Sequence, residues 1–251
     1  MLNIVIPMAG HGRRFSKAGY QTPKPLIKVC GQPMIGLVTE NIRPKREHRF
    51  IYLCLQEHIE KYDLIRELRA ISPGCIVVPV DHVTEGAACT VLLAEEYIDS
   101  EDPMMIANSD QYVDYPIDAY LEGAEDADGL VMTMTAQGMN WSYILYNGEG
   151  AITLIREKEQ ISEEATVGIY NFAHGKDFVT YAKQMIEKDL RVKGEFYVAP
   201  VYNMLIEDGK TIRYKNTGCS GEQILSLGTP EELEHFLQSP VAKRICEREN
   251  V

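Results

Sequence analysis

The run Ala9-Gly10-His11-Gly12-Arg13-Arg14-Phe15, continued by Pro23-Lys24-Pro25-Leu26, constrains this chain more than any other stretch. It follows an apolar run over residues 2–8 that reads as a buried first strand. Two glycines at a strand's exit let the backbone turn tightly and bring N–H groups close to an anion. Arg13 and Arg14 add guanidinium groups that bind phosphate oxygens in pairs. Lys24 is a point charge whose backbone is restricted by Pro23 before it and Pro25 after it. A glycine turn, two arginines and a lysine held between prolines predict a cradle for a nucleoside triphosphate. The pattern differs from the commoner phosphate loops. Phe15 stands where a dinucleotide fingerprint has its third glycine, and no Gly-Lys-Ser/Thr follows.

Further apolar, strand-like runs cover residues 49–55, 75–80, 103–108 and 130–135, and amphipathic segments at 33–42, 57–71, 87–98 and 116–125 lie between them. That alternation predicts an α/β fold with a mainly parallel, twisted, Rossmann-like sheet flanked by helices. Ligands of such sheets bind at the carboxyl ends of the strands. The glycine loop, Thr84-Glu85-Gly86 and Asp110 each follow a strand, so they are expected at one edge. After residue 137 the pattern changes. Strands at 141–146 and 151–156 flank the turn Asn147-Gly148-Glu149-Gly150. A strand at 166–172, helices at 178–189 and 195–207, a strand at 211–214 and a helix at 231–237 complete the prediction. Thr229 would cap that last helix, with Pro230 at its first position. There is no linker or repeat, so one domain is expected over residues 1–251. Residues 1–136 would form its nucleotide-binding part and residues 137–251 a hairpin-and-helix acceptor lobe.

The net charge of −12 disfavours nucleic acid and membrane surfaces as partners. A local cationic site on an acidic protein suits a small anion. No stretch reaches the ~20 apolar residues of a membrane span, and the N-terminal apolar run is too short for a signal peptide. Cys30, Cys54, Cys75, Cys89, Cys219 and Cys246 are scattered without a C-x-x-C. That pattern is expected of reduced thiols in a cytoplasmic protein rather than of a disulfide framework. Histidine spacing gives no zinc motif.

The opening loop resembles the signature of the nucleotidyltransferases that activate sugar phosphates and related alcohols. Further motifs agree in order: Thr84-Glu85-Gly86-Ala87-Ala88, Asn108-Ser109-Asp110, Glu157-Lys158, Val167-Gly168-Ile169-Tyr170 and Gly228-Thr229-Pro230-Glu231-Glu232-Leu233. The resemblance implies a GT-A-type fold and Mg²⁺-dependent attack of a phosphorylated acceptor on a nucleotide's α-phosphate, releasing pyrophosphate. It implies that Arg14 holds the leaving phosphates, Lys24 the α-phosphate, Asp110 the metal and Lys158 the acceptor's phosphate. Ala9, Gly10, Gly12, Arg13, Asp81, Glu85, Gly86 and Asn108 are the expected nucleotide contacts. Glu157, Asn171, Glu195 and Tyr197 are the expected acceptor contacts. Within the family, the Pro-Met-Ala-Gly opening and a serine at 226 are similar to the branch that moves CMP from CTP onto phosphoglutamine for capsule synthesis. Asp81 or Glu85 could accept from an exocyclic base amine such as cytosine N4. Ser226 replaces an aspartate that completes the family's metal site, so either one metal is held by Asp110, phosphates and water, or another carboxylate such as Glu195 or Glu222 substitutes. Hexose 1-phosphate transfer with UTP or dTTP, and a catalytically silent nucleotide-binding protein, are the competing functions.

Overall fold

The computed structural model describes residues 1–124 and 126–248. Its strands are β1 (Leu2–Met8), β2 (Lys28–Val29), β3 (Gln32–Pro33), β4 (His48–Leu55), β5 (Ile76–Val80), β6 (Met104–Ala107) and β7 (Gln111–Val113). They continue with β8 (Gly129–Thr135), β9 (Ser142–Tyr146), β10 (Ile152–Glu157), β11 (Glu164–Phe172), β12 (Ile212–Cys219) and β13 (Ile224–Ser226). The central sheet runs β10-β9-β11-β6-β1-β4-β5, with β8 on the other side of β11 and β12 beyond it. Its first half, β6-β1-β4-β5, is wholly parallel, as alternating strands and helices demand. The antiparallel strand β11 joins that half to β8 and β9.

Both faces of the sheet are covered. Along β1, Leu2, Ile4, Ile6 and Met8 face one core, while Val5 faces the other. This is the period-2 alternation of a strand buried on both sides. A third apolar cluster, with Phe15, Ile27, Val29, Leu225, Leu227 and Phe236, lies beneath the opening loop. Phe15, in the place of a third glycine, is therefore an anchor, 1% exposed.

Several predicted elements are divided or displaced. The helix expected over 57–71 is two helices, Gln56–Tyr62 and Leu64–Ile71, broken at Asp63, whose φ is 48°. Aspartate tolerates that left-handed conformation, and the break turns Leu64 and Leu68 into the core. The expected 87–98 helix is likewise two short ones, Ala87–Leu92 and Glu95–Ile98. The 116–125 helix is Ile117–Leu121 with a 3-10 turn at Glu122–Ala124, and Glu125 lies outside the described residues. Of the predicted helix 195–207 only Val201–Glu207 is helical. Its first residues instead dock on the loop after β5. Phe196 N–H donates to Glu85 O at 2.8 Å, and Ala88 N–H donates to Phe196 O at 3.0 Å. Pro200 also disfavours helix in the residue before it. The short ribbon of β7 and β13 and the helix Pro240–Arg248 are additions that sequence periodicity does not reveal.

The expectation of wholly reduced cysteines is corrected. Cys30 and Cys246 are disulfide-bonded across 216 residues of sequence. The C-terminal helix packs Val241 and Ala242 into the third cluster beside Val29, which brings the two sulfurs together. Cys54, Cys75, Cys89 and Cys219 are free thiols. Burial pushes the Cys54 thiol up to about 12, so it is chemically inert. Among the described residues no helix is long and apolar enough to cross a membrane.

Gly86, an expected nucleotide contact, also has a packing role. Its φ is 140°, and an added Cβ would lie 2.3 Å from Phe196 O and 2.5 Å from Phe196 N. The missing side chain admits the Phe196 backbone, while Gly86 also lines a hollow beside the opening loop. Gly86→Ala should therefore destabilise the fold by about 2–4 kcal/mol, read as a thermal midpoint lower by several degrees. An unchanged midpoint would show that the two segments are not in contact.

Candidate active site

The loops at the carboxyl ends of β1, β5 and β6 line one cleft with three compartments. In the first, Gly10, Gly12, Lys24, Pro25, Asn108, Ser109 and Asp110 surround a hollow of about 310 Å³. Gly12 has φ 60° and starts the helix Arg13–Lys17, and its Cα faces Lys24, whose Cβ would be 3.0 Å from an added Cβ. Glycine at 12 thus lets Lys24 cross the loop closely. The Lys24 ammonium is paired with Asp110 Oδ2. Arg13 and Arg14 lie on the rim. Both are exposed, neither lines the hollow, and among the described residues neither makes an ion pair.

Asp110 is fixed from below by the β7–β13 ribbon, in which Ser226 is the register partner of Gln111. Leu227 N–H also donates to Asp110 O at 2.7 Å. Ser226 thus occupies the place beside Asp110 that the family pattern gives to an aspartate. The donors gathered here are oxygens: the carboxylates of Asp110 and Glu232 and the hydroxyl of Ser226 all lie near Gly228. That set fits a hard cation such as Mg²⁺ rather than a soft one. Among the described residues no three His, Cys, Asp or Glu side chains form a metal cluster, so substrate phosphates would complete the shell.

The second compartment is lined by Ala9, Gly10, Val83, Thr84, Gly86, Ala87, Thr90 and Glu195 among others. It is placed where a base and ribose would follow from the phosphate loop. Two of the expected base contacts are corrected. Asp81 is exposed and does not line it, and Glu85 is paired with Arg191 at 2.7 Å. Glu195, expected on the acceptor, is the acid that lines this compartment. It comes into place because Phe196 is pinned against Gly86.

The third compartment, about 280 Å³, is lined by Asn108, Asn140, Trp141, Ser142, Glu157, Lys158, Tyr170 and Tyr197 among others. Lys158 sits past the end of β10 with φ 56°, its N–H donating to Trp141 O at 2.9 Å. Its ammonium donates to the Tyr197 hydroxyl and lies 4.3 Å from that ring's centroid. Glu157 accepts a hydrogen bond from Ser142, its register partner. Burial raises the Glu157 carboxyl above its ordinary value, although Ser142 and Lys158 both favour the charged form. Asn108 lines both this compartment and the phosphate hollow. It packs on Gly168, where a Cβ would lie 2.1 Å from Asn108 Nδ2, which explains the glycine of Val167-Gly168-Ile169-Tyr170.

Asn171 is the third correction. Strand β11 runs antiparallel to β6, so Gly168 lies at the cleft while Asn171 pairs Met105 and lines a separate hollow with Leu2, Pro103 and Gly129 at the opposite edge. Trp141, Asn140 and Ser142 were not anticipated. The single tryptophan of the chain beside a predicted hairpin was the one available signal.

The glycine loop, the paired Lys24 and Asp110 and the Lys158 pocket thus lie along the one edge where α/β sheets bind their ligands. The chain belongs to the nucleotidyl transferase family, whose profile matches residues 4–210. Mannose-1-phosphate guanylyltransferase catalytic subunit beta of Danio rerio is 25% identical over 249 residues, 92% of this chain and 68% of that protein. The Drosophila melanogaster subunit is 26% identical over 183 residues, 67% of this chain but 47% of that protein. A nucleoside-diphosphate-sugar pyrophosphorylase from Vibrio cholerae superposes with a TM-score of 0.83 at 25% identity, covering 94% of this chain and 100% of that one. The inositol-1-phosphate CTP transferase from T. maritima shares the fold at TM-score 0.73 and 16% identity, over 96% and 93% of the two chains.

The raised Glu157 carboxyl has a stability consequence with a definite sign. An acid whose folded pKa is raised binds its proton more tightly when folded, so stability falls as pH rises above its ordinary value of 4.5. Glu157→Gln removes that loss and keeps an acceptor for Ser142. Its thermal midpoint should exceed the parent's at pH 7 and approach it at pH 4. A midpoint difference independent of pH would refute the buried charge.

Proposed function

We propose that this chain transfers CMP from CTP to a small phosphorylated acceptor of the phosphoglutamine type, with Mg²⁺ at Asp110, in the manner of a CTP:phosphoglutamine cytidylyltransferase supplying capsule or surface-glycan precursors. The observation that carries the transfer is the pair of adjoining anion pockets, Lys24 with Asp110 in one and Lys158 in the other, sharing Asn108 as a common wall. An oxygen of the acceptor's phosphate attacks the α-phosphorus, the bond from that phosphorus to the bridging oxygen breaks, and pyrophosphate leaves. Both reactants are anions, so the protein's work is positioning and charge compensation. A phosphate oxygen is already ionised near neutral pH and needs no general base.

Lys24 would exchange part of its hold on Asp110 for the α-phosphate. Lys158, fixed by Tyr197 and by the Trp141 carbonyl, would orient the attacking phosphate. Arg13 and Arg14, exposed on the rim, are free to fold over the leaving phosphates. Asp110 would hold the Mg²⁺, whose positive charge would offset that of the phosphates. The half-buried Glu157 beside Lys158 favours an acceptor that carries a hydrogen-bond donor, such as an ammonium, next to its anion. Glu195 in the base compartment supports a base with an exocyclic amine. Guanine also presents such an amine, and the guanylyltransferase relatives make GTP with a hexose 1-phosphate the second reading.

Pyrophosphate release should be measured over CTP, GTP, UTP and dTTP, each with phosphoglutamine, mannose 1-phosphate and glucose 1-phosphate. Turnover with CTP and phosphoglutamine is expected, and turnover only with a hexose 1-phosphate would sink the cytidylyl reading. Asp110→Asn should lower kcat by about a hundredfold or more with little change in thermal midpoint. Lys158→Ala should raise KM for the acceptor. A Lys158→Ala protein impaired only in nucleotide binding would show that the third compartment is not the acceptor's.

A further inference from the structure

Ser226 leaves the Mg²⁺ site of the proposed reaction short of a carboxylate, because a hydroxyl is a far weaker ligand for a hard cation. The deficit is electrostatic as well. Lys24 is already paired with Asp110, so these two groups together are neutral, and a divalent cation would enter a site with no net negative charge from protein.

A carboxylate reaches the site from the next element. A Cβ built on Gly228 would lie 3.0 Å from Glu232 Oε2, 3.2 Å from Asp110 Oδ2 and 3.4 Å from Ser226 Oγ. Three oxygens from the end of β6, from β13 and from the helix Pro230–Gln238 thus converge above a glycine. Only glycine leaves the space for them. The two other acids considered as substitutes stand elsewhere: Glu195 lines the base compartment and Glu222 is exposed on the turn before β13.

Glu232 has an ordinary structural role open to it. Thr229-Pro230-Glu231-Glu232 has the spacing of a capping box, in which the glutamate returns a hydrogen bond to the cap residue's N–H. Half of that box is formed, since Glu232 N–H donates to Thr229 Oγ1 at 3.1 Å. The return bond is not made. Among the described residues the Glu232 carboxylate has no hydrogen bond and no ion pair, and it faces Asp110 instead.

We propose that Glu232 supplies the second carboxylate of the Mg²⁺ site, taking over from the helix the role that Ser226 vacates on the strand. A glutamate one element later has the longer side chain needed to reach the same place. It restores one negative charge beside the neutral Lys24–Asp110 pair, and one or two carboxylates with substrate phosphates are the usual protein contribution to bound Mg²⁺. The proposal rests on the nucleotidyl-transfer reading of the cleft.

Mn²⁺ is the probe for the test, with binding followed by the electron paramagnetic resonance of the free ion in the presence of the α,β-methylene analogues of CTP, GTP and UTP in turn. Binding of each analogue is measured separately by equilibrium dialysis without metal. Glu232→Gln keeps a residue suited to the capping box while removing the charge. It should weaken Mn²⁺ binding by about tenfold or more at an unchanged thermal midpoint, and adding Ser226→Asp to that variant should recover most of the affinity. Mn²⁺ binding equal to the parent's would overturn the role of Glu232 while leaving nucleotidyl transfer standing. Weaker binding that Ser226→Asp does not recover, with a lowered midpoint, would mark damage to the helix cap and would also overturn it. A parent protein that binds none of the analogues would remove both readings together.

Discussion

Two close approaches, each possible only at a glycine, join the two halves of this molecule. At Gly86 the amide and carbonyl of Phe196 pass within the space of a missing Cβ and are bonded to Glu85 and Ala88. At Gly168 the side chain of Asn108 fills the equivalent space, and Asn108 N–H donates to Gly168 O at 3.0 Å. Each contact ties a loop of the parallel half to a segment of the second half. Close packing transmits such constraints over distance, because neither backbone can yield without losing hydrogen bonds. The base compartment, the phosphate hollow and the Lys158 pocket form one cleft because of these two points.

Charge in the cleft is arranged for partners that arrive later. Lys24 and Asp110 neutralise one another, and Lys158 is held by a neutral phenol. Burial and the neighbouring Glu195 raise the Tyr197 phenol above its ordinary value, so it stays a neutral hydrogen-bonding partner. Arg13 and Arg14 remain in water. Lys24 and Lys158 are thus held by protein partners that phosphates would have to displace, while Arg13 and Arg14 are solvated. The half-buried Glu157 is the exception, a carboxylate partly withdrawn from water beside Lys158.

Much of this was legible in the sequence. The order of apolar runs and glycines led to the parallel sheet, and the prediction that three loops meet at one edge held for Gly12, Thr84 and Asp110. The failures share a cause. Asn171 was placed by its position in a strand whose direction periodicity does not encode, and it faces the far edge. Asp81 and Glu85 were chosen for closeness in sequence to Gly86, but Glu85 is engaged by Arg191, which is remote in the chain. The helix expected at 195–207 lost its first residues to a tertiary contact stronger than local propensity. The Cys30–Cys246 bond spans most of the chain and left no local trace.

By itself the sequence determined the α/β class, the phosphate loop and the residue types that handle anions, because these depend on local rules: side-chain period, glycine's freedom and fixed charge. Only the tertiary structure decided which acids share a compartment. It moved Glu195 to the base compartment, set Ser226 beside Asp110 and turned Glu232 towards both. The physical reason is that a carboxylate's partners are fixed by strand direction and by close approaches across the fold, and neither is written in the residues that flank it.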